Sequence, residues 1–105
     1  MFVVDLNPTF THTVKVKVPV DGGFVDQTFR ATFAVVPTDE AKNYDLGDGE
    51  GSTAFLRRAV THMHDLVGLD DQPVPYNERL RDTLLSQIYV RKALARTYFD
   101  AMAGV

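Results

Sequence analysis

Hydrophobic and polar residues alternate strictly near the start of the chain. Phe10, His12, Val14, Val16 and Val18 are interleaved with Thr11, Thr13, Lys15 and Lys17. Successive strand side chains point to opposite faces, so the pattern predicts a strand with one apolar and one solvated face. Pro19 is expected to end it. Asp21-Gly22-Gly23 then supplies residues that tolerate positive φ, as a tight hairpin loop requires. A return strand is predicted over residues 24–36, with Phe29, Ala31, Phe33 and Val35 on one face and Thr28, Arg30 and Thr32 on the other. Residues 2–6 are expected to add an edge strand, its pairing limited by Pro8.

Beyond Pro37 the period changes. Thr38-Asp39-Glu40 has N-cap and first-turn chemistry, which predicts a short helix from about residue 39. The glycine-rich stretch 45–51 is expected to be a mobile loop. Ser52 suits the N-cap of the next helix. Phe55, Leu56, Ala59, Val60, Met63, Leu66 and Val67 fall within an arc of about 140° on a helical wheel, with Arg57, Arg58, Thr61 and Asp65 outside it. Gly68 suits a C-terminal cap. Residues 69–76, which include Pro73 and Pro75, predict a packed turn. Asn77 is placed to cap a short helix carrying Leu80, Leu84 and Leu85, and Ser86 to cap a last helix ending near Gly104. The expected fold is α+β: an N-terminal antiparallel β-hairpin or small sheet, then three to four α-helices. The whole chain reads as a single domain, β-rich over 1–36 and helical over 37–105.

Composition narrows the function. A chain of 105 residues is of ordinary domain size and buries one core without disulfides or metal. Eleven Lys and Arg against fourteen Asp and Glu give a net charge of −3, which disfavours nonspecific nucleic-acid binding. The lack of cysteine removes disulfides, thiolate nucleophiles and zinc–thiolate sites. No apolar run approaches the roughly 18 residues of a membrane span. The opening M-F-V-V-D-L-N-P has neither a basic segment nor a long apolar one. A soluble, non-secreted protein with no membrane or nucleic-acid partner is expected.

Side-chain chemistry proposes no active site. On the predicted helix, His62 and His64 would point about 160° apart and could not chelate one ion. His12, on the apolar strand face, reads as a core histidine. In D-L-G-D-G-E, Gly47 stands where a calcium loop needs a ligand. Gly47, Gly49 and Gly51 do not make a dinucleotide fingerprint. Asp70, Asp71 and Asp100 have no evident acid–base partner. No catalytic residue, cofactor or metal site is expected.

The last helix is the most informative element. Val90, Ala93, Leu94, Thr97, Tyr98 and Ala101 form one stripe; Ile88, Ala95, Phe99 and Met102 form a second on an adjacent flank. Lys92, Arg96, Asp100 and the ring of Tyr89 fill the narrow remainder. A helix apolar over more than half its circumference usually has cover on two sides. Either its own domain covers it entirely, or Tyr89, Phe99 and Met102 contribute to a partner-binding surface.

Residues 67–85 read V-G-L-D-D-Q-P-V-P-Y-N-E-R-L-R-D-T-L-L, and residues 88–104 read I-Y-V-R-K-A-L-A-R-T-Y-F-D-A-M-A-G. This turn, the P-V-P-[FY] corner, the Leu-rich helix and the terminal helix resemble the tail assembly chaperones of long-tailed bacteriophages and prophages. Pro37-Thr38-Asp39-Glu40 is similar to the helix start of that family. Tyr89-Val90-Arg91 and Tyr98-Phe99-Asp100-Ala101 are similar to its terminal helix. The likeness covers residues 37–105. Leu69 stands where an aromatic is usual, and only Asp71-Gln72 stands where members often carry a longer acidic insert. The resemblance implies a non-enzymatic protein that holds the tape measure protein and recruits tail tube protein during assembly. Such a protein acts in the host cytoplasm and is absent from the mature virion; a homo-oligomer is compatible with it. The alternative is a small structural virion protein of the tail or head–tail junction.

Overall fold

A computed structural model describes residues 1–105. The elements are β1 (Thr9–Val20), β2 (Gly23–Ala34), α1 (Thr38–Ala41), α2 (Gly49–Ala59), β3 (Val60–His64), α3 (Glu78–Leu85) and α4 (Ile88–Met102). The strands form one antiparallel sheet in the order β1-β2-β3. The fold is α+β, with helices on one face of the sheet and the other face open.

The hairpin forms as its alternation predicts. Val14 faces Phe29 and Phe10 faces Phe33 across the β1–β2 ladder, with Val20 opposite Gly23. The loop between them is only Asp21 and Gly22, and Gly22 takes a φ of 79° that favours glycine. Pro19 does not end β1: it pairs with Phe24. An edge strand has only one neighbour, so the missing N–H is tolerated there. Val36, not Val35, enters the core, because β2 ends at Ala34 and strand parity lapses. Residues 2–6 form no strand; Phe2, Val3, Val4 and Leu6 are exposed, and the Pro8 carbonyl accepts one bond from Val35 N–H at 3.0 Å.

The main correction lies at residues 60–68. The predicted helix stops at Ala59, and the chain becomes β3, so the part expected to be helical supplies a strand. A register shift opposite Thr32 and Phe33 inserts an extra residue into the β2–β3 pair. Such a bulge re-aims side chains. It lets Val60 and Met63, three residues apart, both reach the core at 1% and 2% exposure. Asp65, at a φ of 64°, ends the strand. Gly68 caps no helix; it lies in a small loop closed by Val74 N–H to Leu66 O at 2.8 Å and Gly68 N–H to Gln72 O at 2.9 Å. Val67, expected on the core face, is exposed.

Helix caps follow local chemistry with two exceptions. Asn77 caps α3 by accepting from Leu80 N–H at 2.8 Å. The N-cap of α2 is Asp48 rather than Ser52, so the helix runs through Gly49 and Gly51. Gly51 is needed there, because a Cβ would collide with the Asp45 backbone. Ser86 closes α3, and α4 begins after Gln87 without a side-chain cap.

Sixteen residues form one apolar core, and no charged or polar side chain is buried with them. Val14, Val16, Phe29, Ala31 and Phe33 of the sheet meet Phe55, Leu56 and Ala59 of α2 and Val90, Ala93, Leu94 and Tyr98 of α4. Fully burying a side chain such as Leu94 or Phe33 contributes about 1.5–3 kcal/mol relative to leaving it exposed.

Candidate functional site

Helix α4 packs along β1 and against α2 and α3. Its inner stripe is set by aromatic packing. The Tyr98 ring meets Phe33 at 5.7 Å and Phe55 at 5.2 Å between centroids, and Phe10 stacks on Phe33 at 5.1 Å. The Tyr98 hydroxyl accepts from Val36 N–H at 3.0 Å. That bond satisfies a buried donor which lost its ladder partner when β2 ended. Val90, Ala93 and Leu94 complete the stripe.

The second stripe is different. Phe99 stacks on Phe55 at 5.6 Å with rings 15° apart, yet remains 42% exposed, and Met102 is 44% exposed. Ile88 on the same helix is also exposed. These are apolar side chains that the domain's own packing leaves half uncovered. Of the three candidate partner residues, the structure brings Phe99 and Met102 together at the C-terminal end of α4.

Tyr89 lies elsewhere. It is about 15 Å along the helix axis from Phe99, at 1.5 Å per residue. It is half-buried and lines an apolar hollow of about 240 Å³ with Val16, Val18, Phe29, Leu66 and Val90. Its other side borders a hollow of about 200 Å³ lined by Lys15, Lys17, Lys92 and Arg96. Lys15 is paired to Asp26 at 3.3 Å, and Lys17 sits over the Phe24 ring at 4.5 Å. Tyr89 therefore belongs to a separate surface beside a local cluster of positive charge. That cluster was missed in the sequence, because strand and helix positions 75 residues apart make it.

Histidines also fall differently from expectation. His12 is exposed, edge-on to Phe10 at 5.2 Å between ring centroids, in a hollow with Arg96, Thr97 and Asp100. It sits near the start of the edge strand β1, beside the C-terminal half of α4, yet stays exposed. His62 and His64 lie on β3, not a helix, and so share one face with ring centroids 4.5 Å apart. No group of three or more His, Cys, Asp or Glu side chains is placed to hold a metal ion.

The shifted acids are engaged in ion pairs. The hydrogen bond from Arg30 at 2.7 Å is the main cause holding the Asp65 carboxyl below its usual range. For Asp82, burial pulls upward most strongly, but hydrogen bonds from Arg81 and Arg57 together outweigh it and the net shift is downward. Burial, opposed by Arg81, pushes the Tyr76 phenol up. Its hydroxyl is buried without a hydrogen-bond partner. Tyr76 and Asp82 both adjoin Arg81, while Asp65 pairs with Arg30, and no nucleophile–base pair is assembled among them. No helix is long and apolar enough to cross a membrane. No family model, curated protein or solved structure matches this chain.

Proposed function

We propose that the protein is a phage tail assembly chaperone that binds and shields the tape measure protein and helps recruit tail tube protein, without catalysis. The observation that carries this reading is the half-uncovered apolar flank of α4 at Phe99 and Met102, beside a stripe that already anchors the helix. Apolar side chains left open in this way are what a holder of a long, partly apolar client needs. The motif resemblance of residues 37–105 supplies the identity of the client. Co-expression with the tape measure protein, followed by co-purification, tests it. The wild-type chain should be retained, and Phe99→Ala should weaken retention while the fold persists.

A second reading, a small structural virion protein, draws on different residues. The N-terminal arm leaves Phe2, Val3, Val4 and Leu6 uncovered, and the hairpin tip leaves Phe24 and Val25 exposed. Both suit self-association within an assembled tail. Finding the chain in purified virions, with no retention on the tape measure protein, favours that reading.

A further inference from the structure

His62 and His64 stand on the open face of the sheet, where β3 pairs with β2. Thr32 lies opposite His62 and Arg30 opposite His64 in the register. Residues two apart on a strand point the same way. The two imidazole centroids are 4.5 Å apart, with the rings inclined by 57°. A zinc–imidazole bond is about 2.0–2.1 Å, which puts each ring centre about 3.2 Å from a shared ion. Two centroids at 4.5 Å then subtend about 90° at that ion, a spacing that adjacent positions of a divalent coordination sphere accept.

The surroundings support the pair as ligands. His64 Nε2 lies 2.9 Å from Thr32 Oγ1, which in turn lies 2.8 Å from Thr11 Oγ1. When Nε2–H donates to Thr32, Nδ1 of His64 carries the lone pair that a metal takes. A hydrogen bond on the far nitrogen is the usual way a ligating imidazole is oriented. His62 makes no hydrogen bond through its ring and rests against Tyr76 at 4.8 Å between centroids, so it is held while its nitrogens stay free. Arg30, the nearby cation, is tied to Asp65 at 2.7 Å, which offsets its repulsion of an incoming ion.

We propose that His62 and His64 form a bidentate site for one late first-row divalent ion, Zn²⁺, Ni²⁺ or Cu²⁺, with water completing the coordination. Imidazole nitrogens suit these ions. Two protein ligands make the site weaker than a four-ligand structural zinc site and leave positions open.

Zinc chloride is titrated into untagged full-length protein while the imidazole nitrogens are followed by NMR. The rings of His62 and His64 should shift together and saturate at one ion per chain, with His12 unmoved. His62→Asn and His64→Asn should each weaken binding at least about tenfold, and His12→Asn should leave it unchanged. Unfolding midpoints of the variants are measured alongside, and the wild-type titration stands without them. The proposal is overturned if either ring stays unperturbed at millimolar zinc, or if His12→Asn weakens binding as much as His62→Asn.

Discussion

Tyr98 and Phe99 are neighbours in sequence with opposite surroundings. Tyr98 is 3% exposed, ringed by Phe10, Phe33 and Phe55, and its hydroxyl holds the end of β2. Phe99 touches Phe55 with one ring face and leaves 42% of itself to solvent. A helical step of 100° separates the two side chains. All four buried residues of α4, Val90, Ala93, Leu94 and Tyr98, belong to the inner stripe. The second stripe keeps apolar area in reserve, and burying it would yield about 25 cal/mol per Å². An inner flank buried in the fold and an outer flank proposed to meet a partner should respond differently to the same truncation.

The largest effect is expected on the inner flank. Leu94 is fully buried, and Leu94→Ala should destabilise by about 2–5 kcal/mol through lost transfer energy and a residual cavity. That is a large fraction of the roughly 5–15 kcal/mol that holds a domain together. Urea unfolding measures it; a loss under about 1 kcal/mol would place Leu94 outside the working core.

Tyr98→Phe sharpens the contrast with less disturbance. It keeps the ring stack but strands the Val36 N–H in the core, and the expected loss is about 1–3 kcal/mol. Hydrogen exchange at Val36 should quicken in the same variant. Phe99→Ala should cost about 1 kcal/mol or less in the same urea measurement, since much of that side chain already meets water.

The smallest effect is electrostatic. Asp82 bridges α3 to Arg57 of α2 at 3.2 Å, and Asp65 pairs with Arg30 at 2.7 Å. Both carboxyls sit below their ordinary range in the folded chain. A folded value lower than the unfolded one stabilises at pH above the unfolded value, and that contribution is lost as pH falls through the folded value. The melting temperature should therefore drop on acidification below about pH 4, and Asp82→Asn should shrink that drop. Both acids are exposed, so the change is modest. An equal drop in Asp82→Asn and wild type would show that Asp82 does not take part.

How far the sequence reads correctly depends on whether local period and tertiary demand agree. Across β1 and β2 they agree: the alternation of Val14, Val16, Phe29, Ala31 and Phe33 is the buried face itself. At Val60 and Met63 they conflict. A spacing of three is the signature of a helix, but here a bulge in the sheet produces it. That error turned the geometry of His62 and His64 around, because the same two positions diverge on a helix and align on a strand. The glycines at 47–51 misled for a related reason. They signal flexibility locally, whereas Gly51 answers the close approach of the Asp45 backbone. On α4 both stripes were legible from period alone. Which of them the domain covers was not, since Tyr98 is chosen by Phe33, Phe55 and Val36 far away in the chain. Tyr89 shares the narrow remaining face of the wheel with Lys92, Arg96 and Asp100, and in the structure it lies against β1 residues that the helix pattern alone does not reveal.

The central claim is that the outer flank of α4 serves a partner and the inner flank serves the fold. Co-purification of the tape measure protein with wild type, Phe99→Ala and Met102→Ala, each shown to unfold cooperatively, tests it most directly. The account predicts retention by wild type and, in each variant, binding weakened by about 1–3 kcal/mol with stability nearly unchanged. Undiminished retention by both variants, or no retention by the folded wild-type chain, would contradict it.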